Sequence, residues 1–539
     1  MSEQKKYIVV VKPDEDLAIL DSEMSASTGS GVVPNRAVEC CDACEHDTRM
    51  THWMLTDEEA KELEKDERVL GVEVPLETRT DIFIDRCARQ SETFNKTSSN
   101  DGVNWGLSRS SSQVNNFEGI TSLFDNYKYA MTGEGVDVVI MDSGIELDHP
   151  EFKDGSGNAR IQAIDWYANH GGVTNPISGT QGANLYTDSG GHGTHVAGIA
   201  AGKTYGWAKN AHIYVMKIFD TDAIPAAEAL DLIKQWHNTK GTGRPTIVNM
   251  SYAYFYVIDG WTGTIAGDSG QHWDTFTNQM DVWTFGDVNF ATDYEVNIQV
   301  DIEDGTIWKP AFRSSVIDAK IDQLVAAGIH ITIAGNNNYE VQYNYSDDAN
   351  DNYNDFFSRP SYNGGAAIYY HRGSSPRAST VKGGEIVVAN IGVTEHNNKE
   401  VLRGSSACGE AMDISAPGTN ITSSYATSGA GTSDYPADPN FKIRSISGTS
   451  MAAPQVCGVG ALYLQSEPNL TPAELKAKII HDSKLGLLHD VLSWDQRDLD
   501  KYHSFLIDAQ RGLFGAPNRV LYNRFVGDVF VQYVTSGGD

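Results

Sequence analysis

Three residue types that together permit acyl transfer stand far apart in this chain. They are a carboxylate, Asp142, in Val138-Val139-Ile140-Met141-Asp142-Ser143-Gly144; an imidazole, His192, in Gly191-His192-Gly193-Thr194-His195-Val196-Ala197-Gly198; and a hydroxyl, Ser450, in Gly448-Thr449-Ser450-Met451-Ala452-Ala453-Pro454. A serine hydroxyl is a weak nucleophile at its own pKa, so it needs a histidine to take its proton and a carboxylate to orient that histidine. Ser450 follows a predicted strand, 443–446, and leads into an apolar, small-residue run, 455–464, that reads as a buried helix. At a helix start, free backbone N–H groups and the helix dipole meet negative charge developing beside the hydroxyl. A lone serine before a helix is ordinarily an N-cap. That role does not account for Asp142 and His192.

The elements that must position these groups are also legible. From Gly135 apolar strands at 136–141, 213–218, 246–250, 329–333 and 386–391 alternate with helical stretches at 192–201, 226–236 and 314–327. Such alternation predicts a parallel α/β sheet covered on both faces, with its site at the carboxyl ends of the strands. Asp142 ends the first strand, Ser251 the third, and Asn336 lies just past the fourth. On its own, an Asn in Gly335-Asn336-Asn337-Asn338 is usually a turn residue.

With the order Asp, His, Ser, these motifs resemble those of the subtilisin-like serine proteases, the subtilases, nearest to the proteinase K branch. The resemblance extends through Gly144-Ile145-Glu146, His149-Pro150-Glu151-Phe152, Thr204-Tyr205-Gly206-Trp207-Ala208-Lys209, Arg444-Ser445-Ile446-Ser447 and Ala516-Pro517-Asn518-Arg519, spanning about 130 to 525. It implies a three-layer parallel-sheet catalytic domain that hydrolyses internal peptide bonds. Ser450 would attack, His192 shuttle the proton, Asp142 fix the imidazolium, and Asn336 with the Ser450 amide hold the oxyanion. It further implies that Ser251, Tyr252 and Ala253, with Ala334 and Gly335, bind substrate backbone, flanked by 218–220. Asp413 matches a calcium-binding aspartate, so structural calcium is a candidate; a capped strand end explains the same residue, and the chemistry needs no cofactor. Where the family has Ser-Leu-Gly-Gly, this chain has Ser251-Tyr252-Ala253-Tyr254, and the larger Ala253 and Tyr254 are expected to narrow the first specificity pocket. Two insertions, about 255–310 and 339–373, exceed what the fold requires; a stretch such as 294–302 alternates as a strand would. A lid, a calcium loop and a docking surface all fit them.

Ahead of this body, 1–77 reads as a small α+β unit. Strands are expected at 7–12, 51–54 and 69–74, and Thr56-Asp57-Glu58-Glu59 forms a capping box that opens a helix. The unit resembles the inhibitor-type prodomain of subtilases, which makes the chain's own prodomain an intramolecular inhibitor. Residues 78–104, rich in Ser, Asn and Asp, read as a linker with the processing region, and 105–539 as the catalytic domain. Near the end, Thr471-Pro472-Ala473-Glu474 opens another capped helix, and 526–533 reads as a strand.

A net charge of −31 excludes a phosphate backbone as partner. No run approaches the 18 or so apolar residues of a membrane span, and the first apolar run, 7–11, is too short for a signal-peptide core. An intracellular enzyme, or one associated with a virus or phage particle, is therefore expected rather than simple secretion. Six cysteines make no disulfide framework. Cys40, Cys41 and Cys44 cluster near His46, but the second ligand pair of a zinc site is not apparent locally, and they read as loop thiols or as part of a metal site. The alternative to a processed protease is an uncleaved zymogen or a pseudoprotease with a structural role.

Overall fold

The computed structural model describes residues 4–13, 15–26, 49–78, 104–112, 129–256, 311–337, 383–396 and 406–490. Shorter pieces lie at 38, 40–42, 82–85, 284–285, 288–289, 342, 357–359, 368–370, 373–377, 399–403, 513 and 515–525.

Seven parallel strands form the body. Across the sheet they run His212–Lys217, Asp137–Asp142, Thr246–Met250, His330–Ala334, Ile386–His396, Ile414–Pro417 and Arg519–Val520, with Lys484–Leu485 antiparallel at the far edge. Along Asp137–Asp142 the side chains alternate between two cores. Val138 and Ile140 join one that includes helices His192–Ala201 and Thr449–Ser466; Val139 and Met141 join another with Ala226–Thr239 and Ser315–Ala326. A strand buried on both faces reads as a continuous apolar run, which is why these were legible. The two parallel strands the sequence did not announce, Ile414–Pro417 and Arg519–Val520, are four and two residues long. Neither is long enough to show a period.

The N-terminal unit is a four-stranded antiparallel sheet in the order Cys40–Asp42, Met50–Leu55, Lys5–Val11, Val69–Glu73. Val9 and Val11 pack on helices Leu17–Ser25 and Asp57–Leu63 through Leu20, Met24, Ala60 and Leu63, while Ile8 and Val10 on the opposite face pack on Val316 and Ala319. The Thr56–Glu59 capping box is present. Helix Leu17–Ser25 and the edge strand Cys40–Asp42 were not expected from the sequence. Two polar contacts add to the apolar seam: the Glu73 carboxylate accepts from Ser314 Oγ (2.8 Å) and Ser315 Oγ (2.6 Å) at the start of helix Ser315–Ala326, and Arg49 pairs with Asp322. An anion at a helix N-terminus is favoured by the dipole.

Part of the expected linker is a strand. Ile82–Asp85 pairs antiparallel with Ala253–Tyr256, placing Asp85 opposite Ala253, and Ala311–Phe312 lies on the other side. Beyond it, helix Trp105–Ser110 is bound into the body by a buried, two-pronged Arg109–Glu400 ion pair and by the Trp105 indole donating to the Thr419 carbonyl at 2.8 Å. Within the insertions, Phe357–Arg359 pairs with Ile368–Tyr370, and Thr284–Phe285 with Val288–Asn289. The alternating stretch 294–302 and the tail strand 526–533 lie outside the described residues. Among the described residues no helix is long and apolar enough to cross a membrane.

Candidate active site

Asp142 is the last residue of its strand and His192 the first of its helix; both are buried. His192 Nδ1 lies 2.7 Å from Asp142 Oδ1, which also accepts from the Ser143 amide at 2.7 Å. That carboxylate fixes the tautomer with the proton on Nδ1, leaving Nε2 as an acceptor without a protein partner.

A residue that sequence reading passed over holds this pair in place. Asp188 Oδ1 accepts from Ser143 Oγ (2.9 Å) and the Gly191 amide (2.8 Å), and Oδ2 from the Thr194 amide (2.8 Å) and Thr194 Oγ1 (2.7 Å). Ser143 Oγ in turn accepts from the Gly193 amide at 2.9 Å. The helix that begins at His192 has Gly191 as its N-cap and no side-chain cap of its own. Asp188 satisfies those amides from the preceding loop. An acid four residues before a helix capped by glycine was the available signal.

Ser450 sits in the first turn of helix Thr449–Ser466. Its hydroxyl donates to the Ser251 carbonyl at 3.2 Å, and Ser251 Oγ donates back to the Ser450 carbonyl at 3.1 Å. Ser251 is steadied by Asn249 Nδ2, which donates to its Oγ at 2.8 Å. Ser251 directly follows the strand Thr246–Met250 and leads into Ala253–Tyr256. Ser450 and the segment that leads into strand Ala253–Tyr256 are thus in contact.

Asn336 is buried with φ at +91°, a conformation costly for a residue with a Cβ and held here by its surroundings. Its amide N–H donates to Thr449 Oγ1 at 3.1 Å, and the next residue, Asn337, accepts through Oδ1 from the Thr449 amide at 2.8 Å. The oxyanion candidate is therefore bolted to the residue before the nucleophile. Asn337 and Thr449 were not assigned this role from the sequence, because an asparagine in a polar run looks like a turn.

The other expected site residues fall as follows. Ala334 ends the fourth strand and Gly335 leads from it into Asn336, and Tyr252 is fully buried against Phe219 and Tyr254. Residues 218–220 are not a strand of the sheet built on Ala253–Tyr256. Asp413 makes the contacts of a capped strand end: one oxygen is paired with Lys476 Nζ at 2.8 Å and the other accepts from the Val387 amide at 2.9 Å. Among the described residues no group of His, Cys, Asp and Glu has metal-site geometry. Cys40 is exposed, and Cys457, buried on the serine helix, has its thiol pushed up to about 12 by burial. Cys41, whose side chain is not described, Cys44 and His46 lie outside this account.

The sequence profile of the Subtilase family matches residues 133–503, well over half of the chain and including all four polar groups of the site. The chain belongs to the subtilase family. Similar curated proteins include Subtilisin-like protease 8 of Arthroderma benhamiae, 27% identical over 81% of this chain and 70% of its own. Another is Subtilisin-like proteinase Spm1 of Pyricularia oryzae, 26% identical over 74% and 57%. Among solved structures, a cold-adapted subtilisin-like serine proteinase is 20% identical with a TM-score of 0.44, covering 78% of this chain and 98% of its own. Fervidolysin from Fervidobacterium pennivorans is 17% identical with a TM-score of 0.44, covering 89% and 57%. As a subtilase the chain is a subtilisin-like serine protease, its catalytic body α/β.

Proposed function

We propose that the chain is a serine endopeptidase working through Asp142, His192 and Ser450, and that it is made as a zymogen whose N-terminal unit blocks the site. The catalytic reading is supported above all by the His192 imidazole oriented by the Asp142 carboxylate with its Nε2 left as an acceptor, together with Ser450 in the first turn of a helix whose Thr449 is bonded to the Asn336 amide. Substrate backbone pairs with Ser251–Ala253 as an added strand. Ser450 Oγ leaves the Ser251 carbonyl, gives its proton to His192 Nε2 and forms a bond to the scissile carbonyl carbon. Asp142 stabilises the imidazolium, which then protonates the leaving amine. The carbonyl oxygen, now negative, is held by the Ser450 amide and Asn336 Nδ2; losing such a side-chain donor lowers turnover about 100- to 1,000-fold. Water repeats the sequence on the acyl-enzyme.

The inhibitory reading is supported by Ile82–Asp85, which occupies the edge of Ala253–Tyr256 that a substrate would use. An internally quenched peptide blocked at both ends tests the endopeptidase assignment. Hydrolysis that His192→Ala abolishes is expected; hydrolysis only of peptides with a free terminus contradicts it.

A further inference from the structure

We propose that the cleft for the residue preceding the scissile bond is closed from below by Gly373–Ser375, so that the enzyme cuts after Gly, Ala or Ser and not after large side chains. The inference deepens the endopeptidase reading and rests on it. A substrate strand lying along Ser251–Ala253, with its carbonyl carbon at Ser450 and its oxygen toward Asn336, must direct that side chain into the gap between 251–254 and 334–336.

In this chain the gap is bridged. The Ser374 carbonyl accepts from the Tyr254 amide at 2.8 Å, Ser374 Oγ accepts from Asn336 Nδ2 at 2.8 Å, and Ser375 Oγ donates to the Ala334 carbonyl at 2.5 Å. Ser374 and Ser375 are completely buried. One short segment therefore touches both walls of the cleft, and the hydroxyl of Ser374 stands against the oxyanion amide itself.

The bridge is anchored behind. Gly373 has φ at +94°, and a Cβ there would meet the Gln342 side chain at 2.5 Å, while Gln342 Nε2 donates to the Gly335 carbonyl at 2.7 Å. An aromatic or branched substrate side chain would have to break these contacts and leave buried polar groups unpaired, a strong basis for rejection. The same contact fixes the orientation of the Asn336 side chain, whose Oδ1 accepts from the Asn337 amide at 2.5 Å.

The test is a set of quenched peptides identical except at the residue before the cut, run beside fluorophosphonate labelling of Ser450. Wild type is expected to give kcat/KM at least 100-fold higher for Ala than for Phe or Leu. Ser374→Gly should narrow that ratio at least 10-fold, whereas Ser374→Ala, which keeps the bulk and loses the hydroxyl, should keep the preference and lower kcat. A labelled enzyme that cuts after Phe or Leu as readily as after Ala overturns the proposal and leaves the peptidase reading standing. A chain whose Ser450 does not label contradicts both.

Discussion

The side chains of Ser450 and Ser251 each donate to the other's carbonyl, at 3.2 and 3.1 Å. The exchange ties the first turn of helix Thr449–Ser466 to the segment that leads into strand Ala253–Tyr256. It also parks the Ser450 hydroxyl on an acceptor that an incoming peptide N–H would take. Ser251→Ala removes the bond to the Ser450 carbonyl and leaves the nucleophile itself intact. A loss of roughly 1 kcal/mol in positioning, about 5- to 10-fold in kcat, is expected with little change in KM. Steady-state kinetics on the mature enzyme check it.

Asp188 makes four hydrogen bonds to the loop and helix that carry Asp142's neighbour and His192. Asp188→Asn keeps the shape but can accept at one atom only, and it removes a buried negative charge. We expect kcat to fall about 10- to 100-fold. Steady-state kinetics beside a denaturant midpoint check it: unchanged kcat with reduced folded yield would reduce Asp188 to a structural role.

If the proposed zymogen cuts itself at Ser450, the register of Ile82–Asp85 predicts where. Asp85 lies opposite Ala253. Counting two residues on in the antiparallel sense arrives at residue 87 and Ser251, so the predicted new N-terminus is Ala88. Cys87 is small, as the closed cleft demands. N-terminal sequencing of matured protein decides, and a cut before Ile82 would contradict the register.

Acid should destabilise this fold through histidines held neutral. Burial lowers His195 to about 3, and His237 and His330 each to about 4, from an ordinary 6.5. The unfolded chain takes up protons below 6.5 while the folded chain does not. Stability is therefore full above about pH 6.5 and falls as pH drops toward 4, by up to about 1.4 kcal/mol per pH unit for each site. Denaturant midpoints of Ser450→Ala between pH 7.5 and 4.5, free of autolysis, should decline. A flat profile contradicts the neutral assignment.

The parallel sheet was readable because strands buried on both faces announce themselves as apolar runs, and Asp142, His192, Asn336 and Ser450 lie at the ends of such runs or of the helices they feed. What sequence could not give were partners distant in the chain. Ser374 meets Asn336 across 38 residues and Asn337 meets Thr449 across 112, and neither contact has a local pattern. Asp413 stayed open between two readings for the opposite reason. A carboxylate beside a strand suits calcium as well as it suits Lys476 and the Val387 amide, and only the fold distinguishes them. Ile82–Asp85 looked like linker because an added edge strand needs backbone rather than a side-chain code.

The most direct test of the account combines fluorophosphonate labelling with intact-mass analysis of wild type and Ser450→Ala. Labelling is expected in wild type alone, together with loss of an N-terminal piece of 87 residues that the variant retains. A folded, full-length wild type that does not label would contradict Ser450 as the nucleophile of a self-maturing protease.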